Sequence, residues 1–135
     1  MTTEPITAAQ RETLLAIRDL LLEQHKYLLD REKEVYEQAN EPLASPNEYF
    51  NLVLNDPQFE WLRRMSGVIV EIDEALSRRS TADSTAADSL IAEVKLLLVR
   101  KEDGDDYQRR YWQSLQDNPD VIITHVKLDR LLARA

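Results

Sequence analysis

The chain has 135 residues, 43% hydrophobic and 31% charged, with a net charge of −8, a pI near 4.8 and no cysteine. That balance predicts one folded domain over residues 1–135, with apolar mass enough for a core without disulfide or metal staples. The acid excess argues against nucleic acid, where affinity comes from Lys and Arg displacing counterions. The lack of cysteine excludes disulfides and thiolate metal ligands and fits a reducing compartment. No run reaches the roughly 20 apolar residues of a membrane span. MTTEPITAAQ lacks the basic and apolar regions of a signal peptide, so the expected location is cytoplasmic, with no membrane partner.

Only two glycines, Gly67 and Gly104, and abundant Leu, Ala, Glu and Arg favour helix throughout. Thr7 and Gln10 form a capping box, and residues 8 to about 38 read as one long helix of roughly 45 Å. Leu14, Leu21, Leu28 and Val35 recur at sevens, shadowed by Leu15, Leu22, Leu29 and Tyr36. Such a double file suggests coiled-coil-like packing, with one file free to meet a second copy.

Pro42 closes that helix, and Ser45-Pro46 with Glu48 starts a short one carrying Tyr49, Phe50, Val53 and Leu54. Asp56-Pro57 then opens the most apolar stretch, residues 57–76, expected to be a central helix with neighbours on several sides. The polar segment 79–89 is the expected connection, with the next helix starting near Asp83. Its stripe is Ala87, Leu90, Ile91, Val94, Leu97 and Leu98, while Leu96 and Val99 point elsewhere, toward the C-terminal segment. Gly104 is expected to end it in a left-handed conformation, and Asp105 or Asp106 to cap a helix aligning Tyr107, Tyr111 and Leu115. Asn118-Pro119 starts the last segment, whose VIITHV run is rich in β-branched residues but has no partner strand, so helix is expected there too. The predicted fold is all-α, a helical bundle of about four main helices with a long N-terminal helix plus short ones.

The stretch from Asn47 to Leu76, NEYFNLVLNDPQFEWLRRMSGVIVEIDEAL, resembles a block of a group of small uncharacterised bacterial all-helical proteins. The resemblance spans roughly a quarter of the chain and implies a helical fold, with no activity and no site residues attached.

Residues out of place in a plain bundle are the candidates for chemistry. On a helical wheel Arg18, His25 and Glu32 fall within the arc of the leucine pairs, Asp73 falls in the apolar arc of the central helix, and His125 and Asp129 share an inner face. Arg18, His25, Asp73, His125 and Asp129 therefore form the candidate ligand-binding set. Buried charges must meet each other or water, so a structural network pairing Arg18 or His25 with Asp73, and His125 with Asp129, is one expectation. A small polar pocket, or a zinc or iron site built on His25, Asp73 and His125, is another. The paired Glu-x-x-His motifs of di-iron bundles are missing, and His25 and Glu32 lie about 10 Å apart along the axis. EDGDD lacks the frame of a calcium loop, and no phosphate loop or nucleophile elbow occurs. Tyr107, Tyr111 and Trp112 beside Arg109 and Arg110 read either as core with a charged edge or as an interface patch.

No catalytic residue, metal ligand or cofactor is assigned. The expected function is a non-enzymatic helical protein-interaction module, self-associating as a homodimer or binding another protein through Leu15, Leu22, Leu29 and Tyr36. The alternative is a ligand- or metal-binding bundle using the inward His/Asp set.

Overall fold

The computed structural model describes residues 4–135. Helix α1 (Ala8–Ala39) is followed by α2 (Pro46–Asn55), a 3-10 segment (Pro57–Leu62), α3 (Arg63–Leu76), α4 (Ser84–Leu97), α5 (Asp106–Asp117) and α6 (Pro119–Ala133). This all-α architecture with its long first helix is the one the periodicities predict. Among the described residues the only extended pairing is an isolated bridge between Pro5 and Asp83.

The caps decide where the helices start. Thr7 and Gln10 close their reciprocal box, Ser45 accepts from the Glu48 N–H, and Asp83 from the Ala86 N–H. Asp105 and Gln108 make a second capping box, and Asn118 caps α6 with Pro119 in the first turn. Gln10 does more than cap. Its Nε2 donates to the Ser84 carbonyl, the Ser84 hydroxyl and Asp88 of α4, so the start of α1 is strapped to the start of α4.

Gly104 does not take the left-handed conformation expected of it, since no glycine has positive φ. Helix α4 ends earlier, at Leu97, and Leu98 caps it with ordinary backbone angles. What Gly104 supplies is space: an added Cβ would lie 2.2 Å from Oε1 of Gln108 and 2.7 Å from its Cβ. The glycine lets the Gln108 side chain fold back to accept from the Asp105 N–H.

Helix α1 runs antiparallel to α3: Arg11 reaches the Leu76 carbonyl, Arg18 reaches Asp73, and Glu32 reaches Trp61. Its buried line is Leu14, Ile17, Leu21, Gln24 and Leu28, alternating steps of three and four. Met65, Ile69 and Ile72 of α3, Val94 and Leu97 of α4, Tyr111 of α5 and Leu128 of α6 complete the same core cluster. Each fully buried Leu or Ile contributes about 1.5–3 kcal/mol. Short α2 buries none of its residues, and Phe50 and Leu54 stay exposed.

The stretch predicted as one central helix is two pieces. Pro57–Leu62 winds as a 3-10 turn that buries Phe59, Trp61 and Leu62, and only then does α3 begin. Glu32 anchors that turn, accepting from Trp61 Nε1 and Gln58 Nε2. Leu96, expected to face the C-terminal segment, is instead 68% exposed. The i,i+4 spacing of Glu60 with Arg64 and of Glu74 with Arg78 allows intrahelical ion pairs, but neither is made among the described residues. Arg64 turns instead to Asp105 and lies over the Tyr107 ring.

Candidate functional site

The candidate polar residues do not form one cluster. Apart from His25, they divide between a buried array on one flank of α1 and an exposed ion pair on the other.

The buried array starts at Gln24, which is fully enclosed on α1. Its Nε2 donates to the Val121 carbonyl at the start of α6 and to the Tyr111 hydroxyl of α5, both at 3.0 Å. Tyr111 Oη lies 2.7 Å from Nδ1 of His125. On the far side of the ring, Arg100 Nε donates to Nε2 at 3.1 Å, and Asp129 approaches Nε2 at 3.2 Å. A second bond from Arg100 to Asp129 closes the outer end.

A donor on Nε2 sets the imidazole as the neutral tautomer with its proton on Nδ1, aimed at Tyr111. Adding a second proton would put one N–H against another and a cation beside a guanidinium. Burial accordingly lowers the His125 pKa; Asp129 pulls the other way and Arg100 lowers it further. Burial also drives the Tyr111 phenol well above its ordinary range. General acid–base work needs a nitrogen or oxygen within reach of a substrate proton. Here His125 is 2% exposed with both nitrogens engaged, so the array joins α1, α5 and α6 as a strut.

The other flank carries Arg18 and Asp73, joined at 3.1 Å, with Arg18 also touching Asp19. The predicted pairings of Arg18 with Asp73 and of His125 with Asp129 are therefore both present. The inward placement of Asp73 is not: its side chain is 51% exposed. The reason is geometric. The 3-10 segment turns at about three residues per turn, so an α-helical wheel carried through Phe59 and Trp61 misdirects them relative to α3. Val70 is itself exposed, and counting it as core shifts the apparent apolar arc toward Asp73.

His25 belongs to neither group. It is half-buried, with its pKa lowered by burial. No hydrogen bond or ion pair links it to Asp73 or His125 among the described residues. The two leucine files of α1 are not equivalent: Leu14, Leu21 and Leu28 are buried while Leu15 and Leu22 are exposed. The inner face is thus centred near Leu21, about 60° round the helix from the middle of the expected arc, so Gln24 is enclosed and His25 lies at its edge. Among the described residues no three His, Cys, Asp or Glu side chains gather as metal ligands.

Gln24, Tyr111 and Arg100 are the participants that the wheel missed. Gln24 was readable from the three-four spacing with Leu14, Ile17, Leu21 and Leu28. Tyr111 stacks on Tyr107 and belongs to the core, which settles the aromatic group in favour of packing, although Trp112 is half-buried. Arg100 lies beyond the end of α4, where periodicity says nothing.

The remaining feature on this side is apolar. Leu15 and Leu22, three and four residues from Arg18, are 37% and 48% exposed. Val70, three residues before Asp73, is exposed on the facing flank of α3. Leu29 and Tyr36 continue the file half-buried, Tyr36 packing against Phe59. Exposed Leu15 and Leu22 thus flank Arg18 along α1, with Val70 exposed on α3 one turn from Asp73. No helix among the described residues is long and apolar enough to cross a membrane. No family model, curated protein or solved structure matches the chain.

Proposed function

We propose that this chain is a non-enzymatic helical interaction module that associates with itself through the outer flank of α1. The supporting observation is the exposure of Leu15 and Leu22, at heptad spacing, with Val70 exposed on the neighbouring helix α3. Leucines repeating at seven along a helix flank are the pattern by which helices pack side by side. A two-fold contact would place the same leucines on both copies, the commonest way for identical chains to pair. Arg18, between those leucines, and its partner Asp73 are the polar element, of the kind that sets register. The alternative, a ligand or metal site on His25, Asp73 and His125, needs those three side chains together, whereas Asp73 and His125 are bonded on different flanks and His25 joins neither group.

Light scattering coupled to gel filtration tests the reading. The wild-type chain is expected to exceed its monomer mass at micromolar concentration, and Leu22→Glu to lower that mass without loss of helicity. A wild-type chain that stays monomeric throughout, with no protein partner co-purifying, would end the proposal.

A further inference from the structure

A second surface lies between α3 and α4. Two hollows of about 590 and 560 Å³ follow one another along the α3–α4 groove, with Glu71 and Glu93 lining both. Its floor at one end is Gly67, Val68, Leu96 and Leu97. Gly67 is unusual there, a glycine inside a helix with nothing within 4 Å of the position its Cβ would occupy. Packing within the chain does not require it, and its absent side chain keeps the groove open.

Glu71 and Glu93 stand where the two hollows meet, and Glu74 lies in the second. Glu71 faces Glu93 at hydrogen-bonding range, and that contact, with some burial, raises the Glu71 pKa. The arginines at the apolar end are already engaged. Arg63 donates to the Leu54 carbonyl, and Arg64 pairs with Asp105. Among the described residues neither Glu71 nor Glu93 is in an ion pair, so two like charges meet with no cation between them.

The complement of this groove occurs on the same chain. The outer face of α6 exposes Ile122, Ile123 and Val126 in its first half, then Lys127, Arg130 and Arg134. Ile123, Lys127, Arg130 and Arg134 are spaced four, three and four, which makes one file along the helix. None of those three basic residues is in an ion pair among the described residues. Asp129 is turned aside toward Arg100. Groove and helix also match in length, since α3 has 14 residues and α6 has 15, each about 21–23 Å long.

We infer that the α3–α4 groove receives helix α6 of a second copy of this chain. The Ile122–Val126 end lies over Gly67 and Leu96, and Lys127, Arg130 and Arg134 meet Glu71, Glu93 and Glu74. Only one direction satisfies both ends, with the docked helix parallel to α3. The inference rests on the reading that the chain self-associates and adds a head-to-tail contact to it. Such a contact uses different surfaces on the two copies, so it closes a ring or extends a filament rather than stopping at two.

Two charge-reversed variants test it, Glu71→Lys/Glu93→Lys and Lys127→Glu/Arg130→Glu, both built on Leu22→Glu so that the α1 contact is already weakened. Sedimentation velocity is expected to show concentration-dependent association in the Leu22→Glu parent. Each reversed variant alone should lose it, weakening association by about tenfold or more at low salt. An equimolar mixture of the two should recover it, because each copy then offers what the other lacks. Gly67→Gln, which fills the groove without changing charge, should also abolish it. A monomeric Leu22→Glu parent, reversed variants that associate like the parent, or a mixture that fails to recover would each overturn the groove contact. The first of these, alongside an associating wild type, leaves the α1 reading standing. A wild type whose association ignores Leu22→Glu but disappears on charge reversal overturns the α1 strip and keeps the groove.

Discussion

The two flanks of α1 carry similar side chains in opposite circumstances. On the inner flank, Gln24, Tyr111 and His125 are enclosed, and each bond in the chain of contacts fixes the next. On the outer flank, Arg18 and Asp73 make a contact of comparable length in the open. Distance is therefore a poor guide to energetic weight. The buried array matters because losing a partner strands another polar group away from water, while half-exposed Asp73 can turn to solvent. The proposed function draws the same line, between holding the fold together and meeting another protein.

The sharpest way to break this contrast is Tyr111→Phe. The substitution keeps the ring and removes the oxygen that receives both Gln24 and His125, leaving the buried Nδ1–H without an acceptor. A loss of about 1–3 kcal/mol is expected in urea unfolding. A cost below about 0.5 kcal/mol, the range of an ordinary surface change, would show that the array is not a strut.

Lowering the pH probes the same array from the other end. Burial lowers the pKa of His125, and of His25, in the folded chain. Below the unfolded value of about 6.5 the unfolded chain therefore binds more protons than the folded one. The histidine contribution is intact above that pH and lost progressively as the pH falls below it toward the lowered folded values. Urea midpoints should drop between about pH 7.5 and about pH 5.5, and His125→Phe should flatten part of that drop. An unchanged slope in His125→Phe would contradict the neutral, buried assignment of that ring.

Asp73→Ala gives the smallest effect. Its carboxylate is half-exposed, so the pair with Arg18 contributes no more than about 1 kcal/mol, and less in salt. A larger loss of stability would mean that the outer flank is part of the core.

Much of this was legible in the residues, and the illegible part has physical causes. The caps at Thr7, Ser45, Asp83, Asp105 and Asn118 each have a local chemical signature, so the helix starts could be read directly. The stripe of α4 was equally plain, because its buried residues keep a single α-helical period. The site was read less well. Of the two partners expected for Asp73, Arg18 and not His25 meets it, but neighbouring leucine files on α1 differ in burial in a way that only α3, α4 and α6 decide. Hence Gln24 is enclosed and His25 lies at the edge of the inner face. Asp73 was misplaced because a 3-10 turn interrupts the pitch at Pro57–Leu62, and no residue type there announces it. Gly104 shows the same limit: its role depends on where the Gln108 side chain folds, not on its own backbone angles.

The central claim, that the outer strip of α1 serves association while the inner array serves stability, is tested most directly by sedimentation velocity across a concentration series. Leu22→Glu and Tyr111→Phe are to be compared with the wild type at a temperature where all three are folded. The account predicts that Leu22→Glu lowers the weight-average mass at every concentration while Tyr111→Phe leaves it unchanged. Equal masses for Leu22→Glu and the wild type, or a wild type that is monomeric at every concentration, would contradict it.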